Sequence, residues 1–116
     1  FIDYSGHYIW SMTINGKNIT DPIDIHKRRT GGKILISRKL LSLGPNVVKL
    51  SFENNYYHDY VGIHSTVDSE GNQFVFSQTV PYWANRILPL FDQPDIKGTH
   101  EIVIIGNSFD FQQDSP

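Results

Sequence analysis

Apolar and polar residues alternate in short segments along this chain, and residues typical of turns separate the segments. The clearest alternation covers Tyr8–Ile14 and residues 33–37, 47–52 and 73–79. Successive side chains of a strand point to opposite faces, so this period of two predicts half-buried β-strands. Asn15-Gly16, which follows the first segment, is typical of a β-hairpin turn. No segment keeps the 3.6-residue period of a helix, so we expect an all-β fold with helices of no more than two or three turns.

Four further segments complete the predicted pattern. Ile23 and Ile25 alternate with polar neighbours in the same way as the strands. Residues 83–88 could make one or two helical turns, and residues 100–105 are predicted to form the last strand. Residues 106–116 are polar, and we expect them to fray. Short strands separated by turns at intervals of about 8–12 residues favour a β-sandwich or an open curved sheet.

Composition limits the classes of function. A length of 116 residues corresponds to one domain or less. A net charge of -2 gives no electrostatic reason to expect a nucleic-acid partner. The longest apolar runs are far shorter than the about 20 residues that cross a bilayer, so we expect no membrane span.

The chain contains no cysteine. This excludes a disulfide framework and every thiolate zinc site, and it favours a reducing, intracellular compartment. The first residue is Phe1 and not Met, and no signal-peptide pattern is present. We therefore expect the chain to be an internal piece of a longer protein.

Residues 61–104 carry the most specific motifs. A Gly-Ile pair is followed by D-x-x-G, by an aromatic strand that ends in Ser-Gln, and by a segment that contains Leu-Pro, D-x-P and Lys-Gly. This order and spacing resembles the N-terminal domain of the aminopeptidase N family of zinc metallopeptidases. The matching positions are Gly62, Ile63, Asp68, Gly71, Ser77, Gln78, Ala84, Leu88, Pro89, Asp92, Pro94, Lys97 and Gly98.

The first half of the chain resembles the same family. Residues 12–16 match its strand that ends in Asn-Gly, and residues 43–48 match its L-x-x-G-x-N turn. The resemblance implies that residues 1–105 form the middle part of the N-terminal β-domain. It also implies curved, saddle-like antiparallel sheets in a β-sandwich.

The zinc site of that family is not encoded in this chain. The family binds zinc through H-E-x-x-H and a downstream Glu, because the helical spacing puts both imidazoles on one face. Neither this motif nor the family's G-A-M-E-N segment occurs here. The chain has five histidines, and none of them shows zinc-site spacing: His7, His26, His58, His64 and His100. The resemblance therefore implies no cofactor in this chain, and zinc only in the catalytic domain of a parent protein.

One residue matches a position that contacts substrate in the family. The resemblance implies that Gln78 lines the first substrate pocket, although a strand-end amide bonded to neighbouring backbone is an equal alternative. Two residues later the family has an acidic or amide side chain that holds the substrate's α-amino group. Val80 stands there, and valine cannot accept a hydrogen bond. Asn85 replaces the usual Arg, and whether Arg86 substitutes for it stays open.

One pair of charged residues, Asp92 and Lys97, and one basic run suggest a functional role, but a structural interpretation is favoured for both. Asp92 is interpreted as a carboxylate that caps a turn, and Lys97 is interpreted as a solvated or locally paired charge. A catalytic role is disfavoured because no third polar residue converges on them. The basic run of residues 27–29 is interpreted as a loop face.

A further cluster combines Tyr56, Tyr57 and Tyr60 with His58. A binding surface and packing along a sheet edge are equally compatible with it.

The resulting hypothesis is a β-domain fragment of an aminopeptidase N-like enzyme. It would scaffold one wall of the peptide-substrate cleft without being catalytic by itself, and its partners would be the rest of the parent protein or neighbouring subunits. The alternative is a degenerate peptidase-like domain that acts as a structural subunit or interaction module. An unrelated β-sandwich adhesion module is disfavoured by the match at residues 91–97.

Overall fold

The structure, a computed structural model, describes residues 1–19, 21–93, 95–99, 101, 103 and 105. Its regular elements in chain order are β1 (Ile2–Asp3), β2 (Tyr8–Ile14), β3 (Lys17–Ile19), α1 (Pro22–Lys27), β4 (Arg29–Thr30), β5 (Lys33–Ile34), β6 (Val48–Glu53), β7 (Gly62–Val67) and β8 (Gln73–Gln78). Two 3₁₀ turns cover Arg38–Leu40 and Ala84–Arg86. The expected all-β fold is confirmed for the described residues. In this part of the chain no helix is long and apolar enough to cross a membrane.

The strands form three small antiparallel sheets. Their orders are β1-β5-β4, β3-β2-β6 and β7-β8. In the second sheet the predicted Asn15-Gly16 turn joins β2 to β3, and its two φ angles are 49° and 81°. Positive φ at both central residues is the requirement of a type I′ hairpin, which Asn-Gly satisfies at little cost.

A β-bulge in β2 determines which of its residues face the core. Ile9 pairs with Phe52 and Ser11 with Ser51, so Trp10 is the extra residue. The bulge shifts the alternation by one position. Ile9 before it and Met12 after it are therefore both buried.

The core lies between the β3-β2-β6 sheet and the short elements that come before β2 and between β3 and β6 in the chain. Its buried apolar side chains come mainly from β2, α1 and β5. They are Tyr4, Ile9, Met12, Ile14, Ile19, Ile25 and Ile34.

The alternating segment at Ile23 and Ile25 is a helix and not a strand, so the extended interpretation was wrong. Asp21 caps α1, because its carboxylate accepts a hydrogen bond from the Ile23 N–H at 2.9 Å. Ile25 is buried in the core, whereas Ile23 is exposed. A spacing of two residues fits a strand, but a single helical turn also presents one of the two residues to the core.

Two other segments differ from their predictions in extent, and two lie partly or wholly outside the described residues. The strand expected over residues 33–37 is limited to β5, because Ser37 already caps the following 3₁₀ turn. The helical turn expected within residues 83–88 is the short Ala84–Arg86 turn. The last predicted strand includes His100, Ile102 and Ile104, which lie outside the described residues, as do residues 106–116.

Candidate functional site

Gln78 is the last residue of β8, where it pairs with Gly62 of β7. Its side chain is exposed, and no hydrogen bond to its amide occurs among the described residues. The described residues thus place this amide at an exposed strand end.

Val80 follows immediately after this strand. Its side chain is 69% exposed, and the peptide bond between Val80 and Pro81 is cis. The position at which the aminopeptidase N resemblance calls for a hydrogen-bond acceptor thus presents an apolar surface to solvent.

A buried carboxylate holds the segment that follows Val80. Asp3, only 2% exposed, lies in β1 and accepts hydrogen bonds from Lys33 Nζ at 2.8 Å and from the Tyr82 hydroxyl at 3.2 Å. Its second oxygen accepts from the Asp92 N–H at 3.1 Å. The backbones of Asp3 and Leu90 also exchange two hydrogen bonds. Residues 82–92 are therefore tied to the first strand at both of their ends.

The electrostatics of Asp3 follow from these contacts. Burial by itself raises the pKa of the Asp3 carboxyl. The three hydrogen bonds have the opposite effect, and the one from Lys33 contributes most. Together they outweigh burial and leave the pKa below its usual value. The hydrogen bond to Asp3 correspondingly raises the pKa of Lys33. The pair is thus charged at neutral pH.

Asn85 and Asp92 bind each other across this segment. Asn85 is 4% exposed, and its Nδ2 and backbone N–H donate to Asp92 Oδ2 at 2.6 Å and 3.0 Å. The backbone carbonyl of Asn85 also accepts a hydrogen bond of 2.8 Å from the Ser5 N–H. The position at which the resemblance has arginine is therefore occupied by a buried, hydrogen-bonded asparagine. The structural interpretation of Asp92 is confirmed, but its carboxylate binds Asn85 and does not cap its own turn.

Arg86, the neighbour of Asn85, is engaged elsewhere. Its guanidinium donates to Asp59 Oδ2 at 2.7 Å and lies 4.3 Å and 4.8 Å from the ring centres of Trp83 and Tyr57. The hydrogen bond from Arg86 lowers the pKa of Asp59. Arg86 therefore secures the 3₁₀ turn to the loop before β7.

The aromatic cluster packs around a histidine that sequence reasoning did not single out. His64 in β7 is 4% exposed, and Tyr60 stacks on its ring with centroids 4.6 Å apart. Phe76 and His58 contact the same ring from other sides, at 4.8 Å and 6.0 Å. The Tyr60 N–H donates to His64 Nδ1 at 3.3 Å. Tyr57, His58 and Tyr60 therefore pack against His64 at the β7-β8 hairpin, while Tyr56 and Tyr60 stay largely exposed. The sequence signal for a buried His64 was its place opposite Phe76 in the hairpin, because opposite residues share a face.

The basic run at residues 27–29 is not simply a loop face. Arg28 forms an ion pair with Asp24 within the helical turn. The Arg29 guanidinium donates to the carbonyls of Gly6 and His7 at 2.6 Å and 2.9 Å. Arg29 also lies over the Tyr4 ring. These contacts join β4 to the loop before β2.

The residues that the structure describes do not fit a zinc ion. Within the described part of the chain no group of three or more His, Asp or Glu side chains could hold a metal. His58 and His64 come together, but His58 Nδ1 lies 3.2 Å from the Ser65 carbonyl and His64 Nδ1 accepts from Tyr60. Chemistry at zinc would require ligands from outside these residues.

Comparison with known proteins identifies the family of this chain. The family model of the peptidase M1 N-terminal domain matches residues 1–111. No curated protein and no solved structure gives a significant match. The matched range contains both the strand that ends at Gln78 and the segment that Asp3 holds. This chain therefore belongs to the peptidase M1 N-terminal domain family.

Proposed function

We propose that this chain contributes one wall of the peptide-substrate cleft of an M1 aminopeptidase and is not catalytic by itself. The observation that carries the proposal is the exposed amide of Gln78 at the end of β8, with no partner among the described residues. An amide can both donate to and accept from the backbone of a bound peptide.

The surroundings of Gln78 suit such a role. The residues that follow it are held by the Asp3 carboxylate and by the hydrogen bonds between Asn85 and Asp92. A contact residue next to a tethered segment loses less conformational entropy on binding than one in a mobile loop. This support favours a preorganised wall.

Zinc and the hydrolytic residues would come from elsewhere in the parent protein. There the metal would polarise the scissile carbonyl and activate water. This chain would contribute binding and positioning of the peptide. We expect the 116-residue chain alone to retain no zinc and to hydrolyse no aminoacyl substrate, and stoichiometric zinc after dialysis would contradict this.

Val80 favours a second candidate function. A solvent-exposed valine cannot neutralise or bond the α-ammonium of a peptide. A domain with this change could serve as a structural subunit or interaction module in a larger assembly. The presence of H-E-x-x-H in the parent protein would favour the enzyme, and its absence the structural subunit.

Kinetics of the full-length parent test the proposed wall. We expect Gln78→Ala to lower kcat/KM on short peptides by about three- to tenfold, the loss of one neutral hydrogen bond. Gln73→Ala is the matched control, because it removes an exposed glutamine at the other end of the same strand. Equal kinetics of Gln78→Ala and the wild type would refute the contact.

A second variant restores a hydrogen-bond acceptor at position 80 and should increase activity. A charge-assisted hydrogen bond contributes about 1.5–3 kcal/mol, so Val80→Glu should raise kcat/KM by about tenfold or more. Val67→Glu, at another exposed valine, controls for added negative charge. A folded Val80→Glu protein with unchanged or lower activity would favour the structural subunit.

A further inference from the structure

Among the residues that the structure describes, the outer edge of β8 has backbone groups without a hydrogen-bond partner. On the other side of the hairpin, the Tyr57 N–H donates to the Ile63 carbonyl and the Ser65 N–H donates to the Tyr57 carbonyl. Because backbone groups alternate in direction along a strand, those of Ile63 and Ser65 point away from β8. Their opposite residues in β8 are Ser77 and Val75, whose groups therefore point away from β7. No backbone partner for these groups occurs among the described residues.

This edge also lacks the features that normally prevent pairing. Natural edge strands are protected by charged side chains, proline or bulges. In the described residues β3, β4 and β6 also lie at sheet edges, and they carry the charges Lys17, Arg29, Lys49 and Glu53. The outer edge of β7 has no charge either, but the Tyr57 backbone bonds to it at Ile63 and Ser65. Residues Gln73–Gln78 contain no charge, proline or glycine, and all six are exposed.

The sequence of β8 is complementary to itself in an antiparallel arrangement. A two-fold axis through Val75 would place Phe74 of each copy opposite Phe76 of the other, and Gln73 opposite Ser77. Opposite residues share a face of the sheet, so both aromatic pairs would form on one side. A two-fold interface sets each strand against itself, so any charge in it would meet a like charge nearby; β8 has none.

We propose that β8 is an interface at which two copies of this chain pair antiparallel through the backbones of Val75 and Ser77. The two hairpins would form one four-stranded sheet and cover Phe74 and Phe76, which are exposed in the single chain. Phe76 is already positioned by its contact with His64. This interface does not depend on peptidase function, since it uses the strand edge and not the Gln78 amide.

The test is the oligomeric state of the 116-residue chain, measured by light scattering and sedimentation over a wide concentration range. We expect a reversible monomer-dimer equilibrium that saturates at the dimer. Val75→Lys should raise the dissociation constant at least about tenfold, because it places two lysines opposite each other at the axis. Ser77→Lys is a second variant on the same edge. Val67→Lys is the matched control, since it changes an exposed valine on the same face of the hairpin that lies in β7 and not on the outer edge of β8.

Hydrogen exchange distinguishes the mode of pairing. In the dimer the amides of Val75 and Ser77 should become protected as the concentration rises. A wild type that stays monomeric, open-ended aggregation, or equal weakening by Val67→Lys would overturn the proposal. Concentration-independent protection of these amides in a monomer would also overturn it, because a segment of the same chain would then occupy the edge.

Discussion

The backbone N–H of Asp92 donates a hydrogen bond of 3.1 Å to the carboxylate of Asp3, a residue 89 positions earlier. The same carboxylate accepts from Lys33 and Tyr82. One buried side chain near the start of the chain thus positions the segment that follows Gln78. The arrangement of the proposed cleft wall depends on this contact.

Removing the carboxylate should destabilise the fold. Asp3→Ala leaves the donors of Lys33, Tyr82 and Asp92 without their acceptor in a buried site. We expect the free energy of unfolding to fall by about 1–3 kcal/mol, with the partly exposed Lys33 ammonium regaining water. Urea denaturation measures the loss. Asp95→Ala, at an exposed position, should change stability by less than about 0.5 kcal/mol, and equal losses in both variants would contradict the role of Asp3.

The same site should make stability depend on acid pH. The pKa of Asp3 is lower in the folded chain than its unfolded value of about 3.9. Its charged form therefore stabilises the fold above about pH 4, and this contribution disappears as the pH falls through the lowered folded pKa. The difference in unfolding free energy between the wild type and Asp3→Asn should be constant from about pH 7 to 5 and shrink below about pH 4. A difference that persists unchanged in strong acid would show that the carboxylate is not the cause.

Tyr4 should make stability depend on alkaline pH. Burial raises the pKa of its phenol to about 12, and its hydroxyl donates to Asn54 Oδ1 at 2.8 Å. The protonated form stabilises the fold below the unfolded pKa of about 10, and this contribution is lost as the pH rises toward the folded value. Titration of phenolate absorbance should show a late step that Tyr4→Phe removes and that Tyr56→Phe, at an exposed position, leaves intact. Tyr4→Phe should also cost about 1 kcal/mol near neutral pH.

Gly62 combines a left-handed backbone with close packing. Its φ is +77°, and an added Cβ would lie 3.0 Å from Tyr57 Cδ2 and 3.1 Å from Arg86 Cβ. Gly44 has a φ of +85° but nothing within 4 Å of such a Cβ. We expect Gly44→Ala to cost about 1–2 kcal/mol from backbone strain alone, and Gly62→Ala to cost more because the Tyr57 ring must also move. Thermal unfolding compares them, and equal costs would show that the packing at Gly62 contributes nothing.

Local rules in the sequence by itself determined much of this molecule. Alternation and turn chemistry act between neighbours in the chain. They account for the Asn15-Gly16 hairpin, the strands Tyr8–Ile14 and Gln73–Gln78, and the all-β class. The order of motifs around Gln78 was sufficient to identify the family. Each of these signals involves residues within a short stretch.

Only the tertiary structure decided the features that depend on distant partners. Ile23 and Ile25 suited a strand by spacing, but the cap at Asp21 and the burial of Ile25 in the core favour a helix. The bulge at Trp10 and the burial of His64 are equally absent from the local pattern. Asp3 gains its role from residues 30 and 89 positions away. Spacing along the chain reports periodicity on one element, whereas hydrogen bonding and burial depend on which elements meet in space.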